Sequence, residues 1–342
     1  MPSGLEVKAA IKKASTWGTA VACGANDGVL LKGDSLKKSI EAIVDDSLGQ
    51  PYAENQDQGA IKAEGNLSAY LRYDSLDVLL ALAMGSTQAP TQQGGSAAYS
   101  NTIKLADTLD GLFGTLAVNK VVNIFEYTAA KIAGFTIKGE TGKPLEIEFE
   151  TLCNDELITS AVNTLGTFAN VTYAEKANRA LFSQGVFRLN DQSGAGLVDG
   201  DKVSPVSFEL SFKRKLKGEY VAGGSNKIDE PTNDGLPEIK LKLTLPRYTA
   251  TTYLTALGAD TRKKMDIVFT GGLIAATYYR IFKLQFPHLA LINAEAATEV
   301  GQIKHPLEFE CLATATAPTG MTGILKPFQV DVINKRATSP LA

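Results

Sequence analysis

The chain has 342 residues, a formal net charge of −3, 44% hydrophobic and 21% charged residues. That composition suits a folded protein and excludes a disordered or membrane-embedded one; the charge excludes the strongly basic surface that grips nucleic-acid phosphates. At roughly 100 to 200 residues per domain, the length favours two domains over one.

Along the chain, Lys8, Lys12 and Lys13 are followed by no apolar stretch, so no secretory signal is read. Residues 48–59 (LGQPYAENQDQG) are rich in turn formers and polar groups and read as a long loop. Leu67, Ala69 and Leu71 then share one strand face, and Leu76, Leu79, Leu80 and Ala83 one side of a short helix that ends near Gly85. The most apolar window, 76–84, is far shorter than the ~20 residues a helix needs to cross a bilayer. Residues 86–100 form a low-complexity loop. Leu145, Ile147 and Phe149 alternate with Glu146, Glu148 and Glu150, which predicts a strand with one wet face. Residues 154–184 connect two halves, with helix expected around 174–181. Val206, Phe208, Leu210 and Phe212 alternate in the same way, and residues 220–235 form a second long polar loop.

Two pairs of segments recur in the same order. Residues 67–85 match 241–259, where Leu241, Leu243 and Leu245 precede Tyr253, Leu254 and Leu257, with Gly258 at the expected helix end. Residues 139–149 (GETGKPLEIEF) align without a gap on 301–311 (GQIKHPLEFEC), and the acidic pattern returns as Glu308 and Glu310. Conserved order in both halves predicts an internal duplication. The organisation expected is an N-terminal arm (1–25), a first β domain (26–160), a linker (161–183), a second β domain (184–320) and a C-terminal arm (321–342).

Chemical constellations are sparse. Cys23, Cys153 and Cys311 have no paired spacing, so buried thiols are expected in place of disulfides or zinc. His288 and His305 form no metal or acid–base spacing, and no nucleophile elbow, P-loop or dinucleotide fingerprint is present. Gly194, Gly196 and Gly200 precede a strand and read as a turn. Glutamates two apart on a strand lie about 7 Å apart, a separation compatible with glycoside hydrolysis; recurrence in both halves argues against a single active site. The plainer reading of Glu146, Glu148, Glu150, Glu308 and Glu310 is a solvated face, paired with Lys138 or Lys304 across the sheet. A sharper one is the wall of a conduit, where carboxylates repel phosphates. No catalytic, cofactor or metal residue is assigned.

The strand-then-helix segment EGNLSAYLRYDSLDVLLALAMGS and the strand–turn–strand YTAAKIAGFTIKGETGKPLEIEFETL resemble the tail tube family of siphophages. The resemblance covers most of both halves and implies β-sandwich or barrel domains, each with a flanking helix, built into stacked rings through whose lumen DNA passes without specific binding. It further implies assembly in the host cytoplasm into a virion tail, no membrane and no enzyme activity, with tape measure, tail terminator and distal tail proteins as partners. In the family the resemblance points to, six such units form a ring, so two units per chain imply three chains per ring. Gln50, Tyr52, Glu54 and Gln56 in the first long loop, with Tyr220, Asn226, Asp229 and Glu230 in the second, are the candidate contacts between stacked rings. A capsid, sheath or adhesion component is the alternative.

Overall fold

The computed structural model describes residues 3–46, 48, 52–53, 55–223, 225–296 and 301–342, and the chain is mainly β, as its alternating segments predict. The first half contains β1 (Lys8–Ala14), β2 (Leu31–Asp34), β3 (Lys37–Val44), β4 (Gln56–Tyr70), α1 (Asp77–Met84), β5 (Tyr99–Leu105), β6 (Phe113–Asn119), β7 (Ile124–Glu140) and β8 (Glu146–Cys153). A short helix, α2 (Leu165–Ala169), follows. The second half contains β9 (Gly185–Asp191), β10 (Ser207–Lys213), β11 (Glu238–Leu245), α3 (Thr252–Gly258), β12 (Lys263–Ala275), β13 (Tyr278–Asn293), β14 (His305–Cys311) and β15 (Gln329–Asn334).

Period-two alternation decides which way these strands face. In β11, Ile239, Leu241 and Leu243 are buried while Glu238, Lys240 and Lys242 are exposed; β8 and β10 repeat the pattern. Such strands satisfy both requirements of a half-buried sheet, apolar groups inward and charges in water. Antiparallel pairing then runs without interruption in the order β2, β4, β8, β7, β10, β11, β14, β13. Behind this sheet β1 pairs with β6, and β6 with the N-terminal part of β7. Correspondingly β9 pairs with β12, and β12 with β13. The C-terminal β15 is inserted between β5 of the first half and β13 of the second.

One core serves both halves. Phe135 on β7 meets Phe212 on β10 with ring centroids 5.4 Å apart, and Phe328, just before β15, contacts both rings and Phe286. Each such ring, removed from water, contributes about 1.5 to 3 kcal/mol. Every residue of α1 is buried, which explains a helix apolar all round. Gly85 ends it in a left-handed conformation with φ 95, its N–H donating to Ala81 O, and a Cβ there would lie 2.7 Å from the Ala106 Cβ.

The fold departs from several expectations. Residues 174–181 are not helical: Ala180 N–H donates to Leu71 O and accepts at its own carbonyl from Leu145 N–H. These long-range bonds hold the segment extended against β4 and β8, outweighing its local helix preference. Gly258 is the last residue of α3 and no left-handed cap; Asp260 takes the positive φ of 50. Residues 86–100 are partly ordered as the short strands Gly85–Thr87 and Thr91–Gln92, both paired with β5.

Candidate functional site

The outward face of the eight-stranded sheet carries the acidic residues singled out from sequence, and the register interleaves them with lysines. Glu146 on β8 lies opposite Lys138 on β7, Lys138 opposite Glu209 on β10, Glu209 opposite Lys242 on β11, and Lys242 opposite Glu308 on β14. A row of alternating charge therefore crosses five strands and passes from one half to the other. A neighbouring row runs from Glu148 through Thr136, Ser211 and Lys240 to Glu310.

Side-chain pairing follows these rows only in part. The Lys138 ammonium reaches Glu209 at 3.3 Å, not the glutamates of β8 that the sequence suggested. Glu146 instead bonds Lys32 at 2.6 Å, and this bond holds the Lys32 ammonium above its ordinary pKa. Glu148 accepts from Asn66 Nδ2 at 2.9 Å, Glu150 pairs with Lys213 at 3.0 Å, and Glu308 lies 3.6 Å from Lys242. Exposed pairs of this kind stabilise by about 0.2 to 1 kcal/mol. Their physical effect is a polar, hydrated face.

The two long loops differ. In the first, Gln50 and Glu54 lie outside the described residues; Tyr52 is 83% exposed, and Gln56 begins β4. The strands leading to it form a hairpin on which Ile40, Ile43 and Val44 are exposed. The second loop lies on the first half. The Tyr220 hydroxyl donates to Ile61 O, Asn226 Nδ2 to Gly59 O, and Ile61 N–H to Asn226 O. Asp229 N–H donates to Glu219 O, and Glu230 accepts from the Lys131 ammonium at 2.7 Å and from Gly111 N–H. Asp155 joins the same seam, bonded to Lys38 at 2.6 Å and Lys227 at 2.8 Å. Sequence pattern could not show this docking, because the partners across the seam are 72 or more residues away.

The remaining polar groups are arranged for packing. All three cysteines are free and buried; burial pushes the Cys23 thiol up to about 12 and the other two higher still, which suppresses thiolate chemistry. His305 is buried against Tyr248 and Tyr253, with Nε2 bonded to Ala294 O. Among the described residues, no cluster of three or more His, Cys, Asp or Glu could hold a metal ion, and no helix is long and apolar enough to cross a membrane.

The halves share a strand-by-strand correspondence. Ala69 faces Ile147 between β4 and β8 as Leu241 faces Phe309 between β11 and β14. Ile137 faces Ile147 between β7 and β8 as Leu291 faces Phe309 between β13 and β14. β2 with the start of β3 thus holds the place of β10, and β13 that of β7. At the centre, the Gly134–Glu140 stretch of β7 pairs with β10. At the two outer ends the equivalent edges have no strand beside them among the described residues: β12 leaves β13 after Leu289, and β2 pairs with β4 alone.

A family model described as phage tail tube protein matches residues 4–318. No curated protein matches the chain.

Proposed function

The chain belongs to the phage tail tube protein family, and from that premise we propose that three chains close each ring, that rings stack into a hollow tube, and that DNA passes through its lumen. Membership makes the chain a structural component of the virion tail that assembles with itself. The observation that carries the finer reading is the single sheet that crosses from half to half through the β7–β10 ladder. That junction joins two similar units edge to edge in a head-to-tail sense. Repeated between chains, such a head-to-tail contact can close a ring; with the six units per ring that the family resemblance implies, two units per chain make three chains.

The charged face of the sheet is the proposed lumen wall. Lysines beside the glutamates moderate the field, and the alternation offers a hydrated surface on which neither phosphate nor a folded partner settles. Residues 48–59, together with the exposed Ile40, Ile43 and Val44, are the proposed contact with the next ring, where burial of those three side chains would stabilise the stack. Tape measure, terminator and distal tail proteins are the proposed partners, and assembly in the host cytoplasm is part of the same reading. The organisation into two duplicated domains with terminal arms is proposed alongside it.

Electron microscopy of concentrated purified protein tests the proposal. Hollow fibres of uniform width with three chains per ring are expected. Fibrils without a lumen, closed shells or six chains per ring would overturn it.

A further inference from the structure

A cavity of about 360 Å³ opens where distant stretches of the chain meet: Asn26 and Gly28 ahead of β2, residues 74–75 ahead of α1, residues 172–175 after α2, Arg280 on β13, and residues 335–338 after β15. Its volume suits a small organic molecule. We infer that this cavity binds a small phosphate-bearing ligand, inorganic phosphate or a phosphate monoester, whose oxyanion is held by the Arg336 guanidinium.

The charges of the lining leave one cation over. Arg280, Lys335 and Arg336 stand against Asp74 and Glu175, and both carboxylates are engaged within the chain. Asp74 accepts from Arg280 Nε at 3.0 Å, from Lys335 N–H at 3.2 Å and from Asn178 Nδ2. Glu175 accepts from Asn178 Nδ2 at 3.0 Å and lies 3.6 Å from the Lys335 ammonium. Arg336 donates its Nε to Thr338 O, and among the described residues it has no ion-pair partner within 4 Å. Asp27 and Asp77 feel its charge from farther off. Neither lines the cavity, and each has a donor of its own, Gly24 N–H for Asp27 and Asn334 Nδ2 for Asp77. A guanidinium whose fork meets no carboxylate is suited to two oxygens of a phosphate.

Two hydroxyls of the same lining also lack partners. Ser75 Oγ and the Tyr173 hydroxyl are buried and make no hydrogen bond, an arrangement folded chains rarely keep without a use for it. Ser75 further holds φ 88, a strained conformation for a residue with a side chain, and such strain gathers at ligand sites. Each hydroxyl can donate to an oxyanion. A phosphate has more acceptor oxygens than a carboxylate, enough for the guanidinium and both hydroxyls together.

The free full-length chain tests this, because the whole site lies within one chain and needs no tube. Calorimetric titration with inorganic phosphate and, separately, with ribose 5-phosphate, at constant ionic strength in chloride, should show saturable binding at one site. Arg336→Ala should weaken that binding by about tenfold or more. Tyr173→Phe keeps the ring beside Gly28 and should weaken it by about threefold. Ser75→Gly removes the hydroxyl and suits the positive φ, so this variant should melt no lower than wild type without ligand and yet bind more weakly. Tighter binding of ribose 5-phosphate would identify an organic monoester as the occupant, and equal binding the free ion; both support the site. No saturable binding of either probe, or undiminished binding by Arg336→Ala and Tyr173→Phe, would overturn it and leave the tube reading untouched.

Discussion

Lys131 on β7 has no exposed side-chain surface, and its ammonium lies 2.7 Å from the carboxylate of Glu230 in the loop of the other half. The pair closes the seam between the halves where the second long loop crosses the first. A buried ammonium stripped of its counter-charge is strongly destabilising, by about 3 to 5 kcal/mol. Glu230→Ala is therefore expected to lower unfolding free energy by that order in denaturant titration. Lys131→Met in the same chain should restore most of the loss, since the unpaired charge is then gone. Equal loss in the single and double variants would show that the contact is merely loop packing.

Asp77 gives the chain a pH dependence of definite sign. The carboxyl is buried in the first turn of α1, and burial raises its pKa from 3.8 to about 6 despite the bond from Asn334 Nδ2 at 2.7 Å. The folded state holds this proton more tightly than the unfolded one. Its contribution is therefore fully present below about pH 4 and is lost as pH rises through about 6. Asp77→Asn keeps an acceptor for Asn334 and removes the charge. The variant should be more stable than wild type at pH 7, by on the order of 2 to 3 kcal/mol, with the gap closing near pH 4. A gap of the same size at both pH values would contradict the assignment.

Because Phe135, Phe212, Phe286 and Phe328 belong to one core, the halves should unfold together. Calorimetry of the free chain is expected to show one cooperative transition. Phe328→Ala should lower stability by roughly 3 to 5 kcal/mol without splitting it. Two resolved transitions, one insensitive to this substitution, would mean that the halves are independent.

Charge reversal on the outward face separates electrostatics from stability. Glu146→Lys with Glu148→Lys and Glu308→Lys should change unfolding free energy by less than about 1 kcal/mol per site. Assembled tubes of this variant should retain DNA in a salt-dependent manner, because added lysines release counterions from phosphate. Variant tubes that bind DNA no better than wild type would move this face away from the lumen.

What the sequence determined by itself is local. Alternation in β8, β10 and β11 prescribes which side chains are wet, since successive residues on a strand point to opposite faces. The matched segments 139–149 and 301–311 place Glu146 and Glu308, with Glu148 and Glu310, at equivalent positions before any coordinate is known. The tail tube resemblance was legible for the same reason: it rests on the order of strands and helices.

Tertiary structure alone decided which strands are neighbours. Lys138 meets Glu209 and not a glutamate of β8, residues 174–181 are drawn out along β4 and β8, Glu230 reaches Lys131 across the seam, and β15 enters the sheet of both halves. None of these leaves a periodic trace, because a long-range pair is selected by burial and by backbone hydrogen bonds that have no alternative partner once water is excluded. The two ends of the sheet, where no further strand lies among the described residues, belong to the same category. An edge is the absence of a neighbour, and only the folded arrangement shows where neighbours stop.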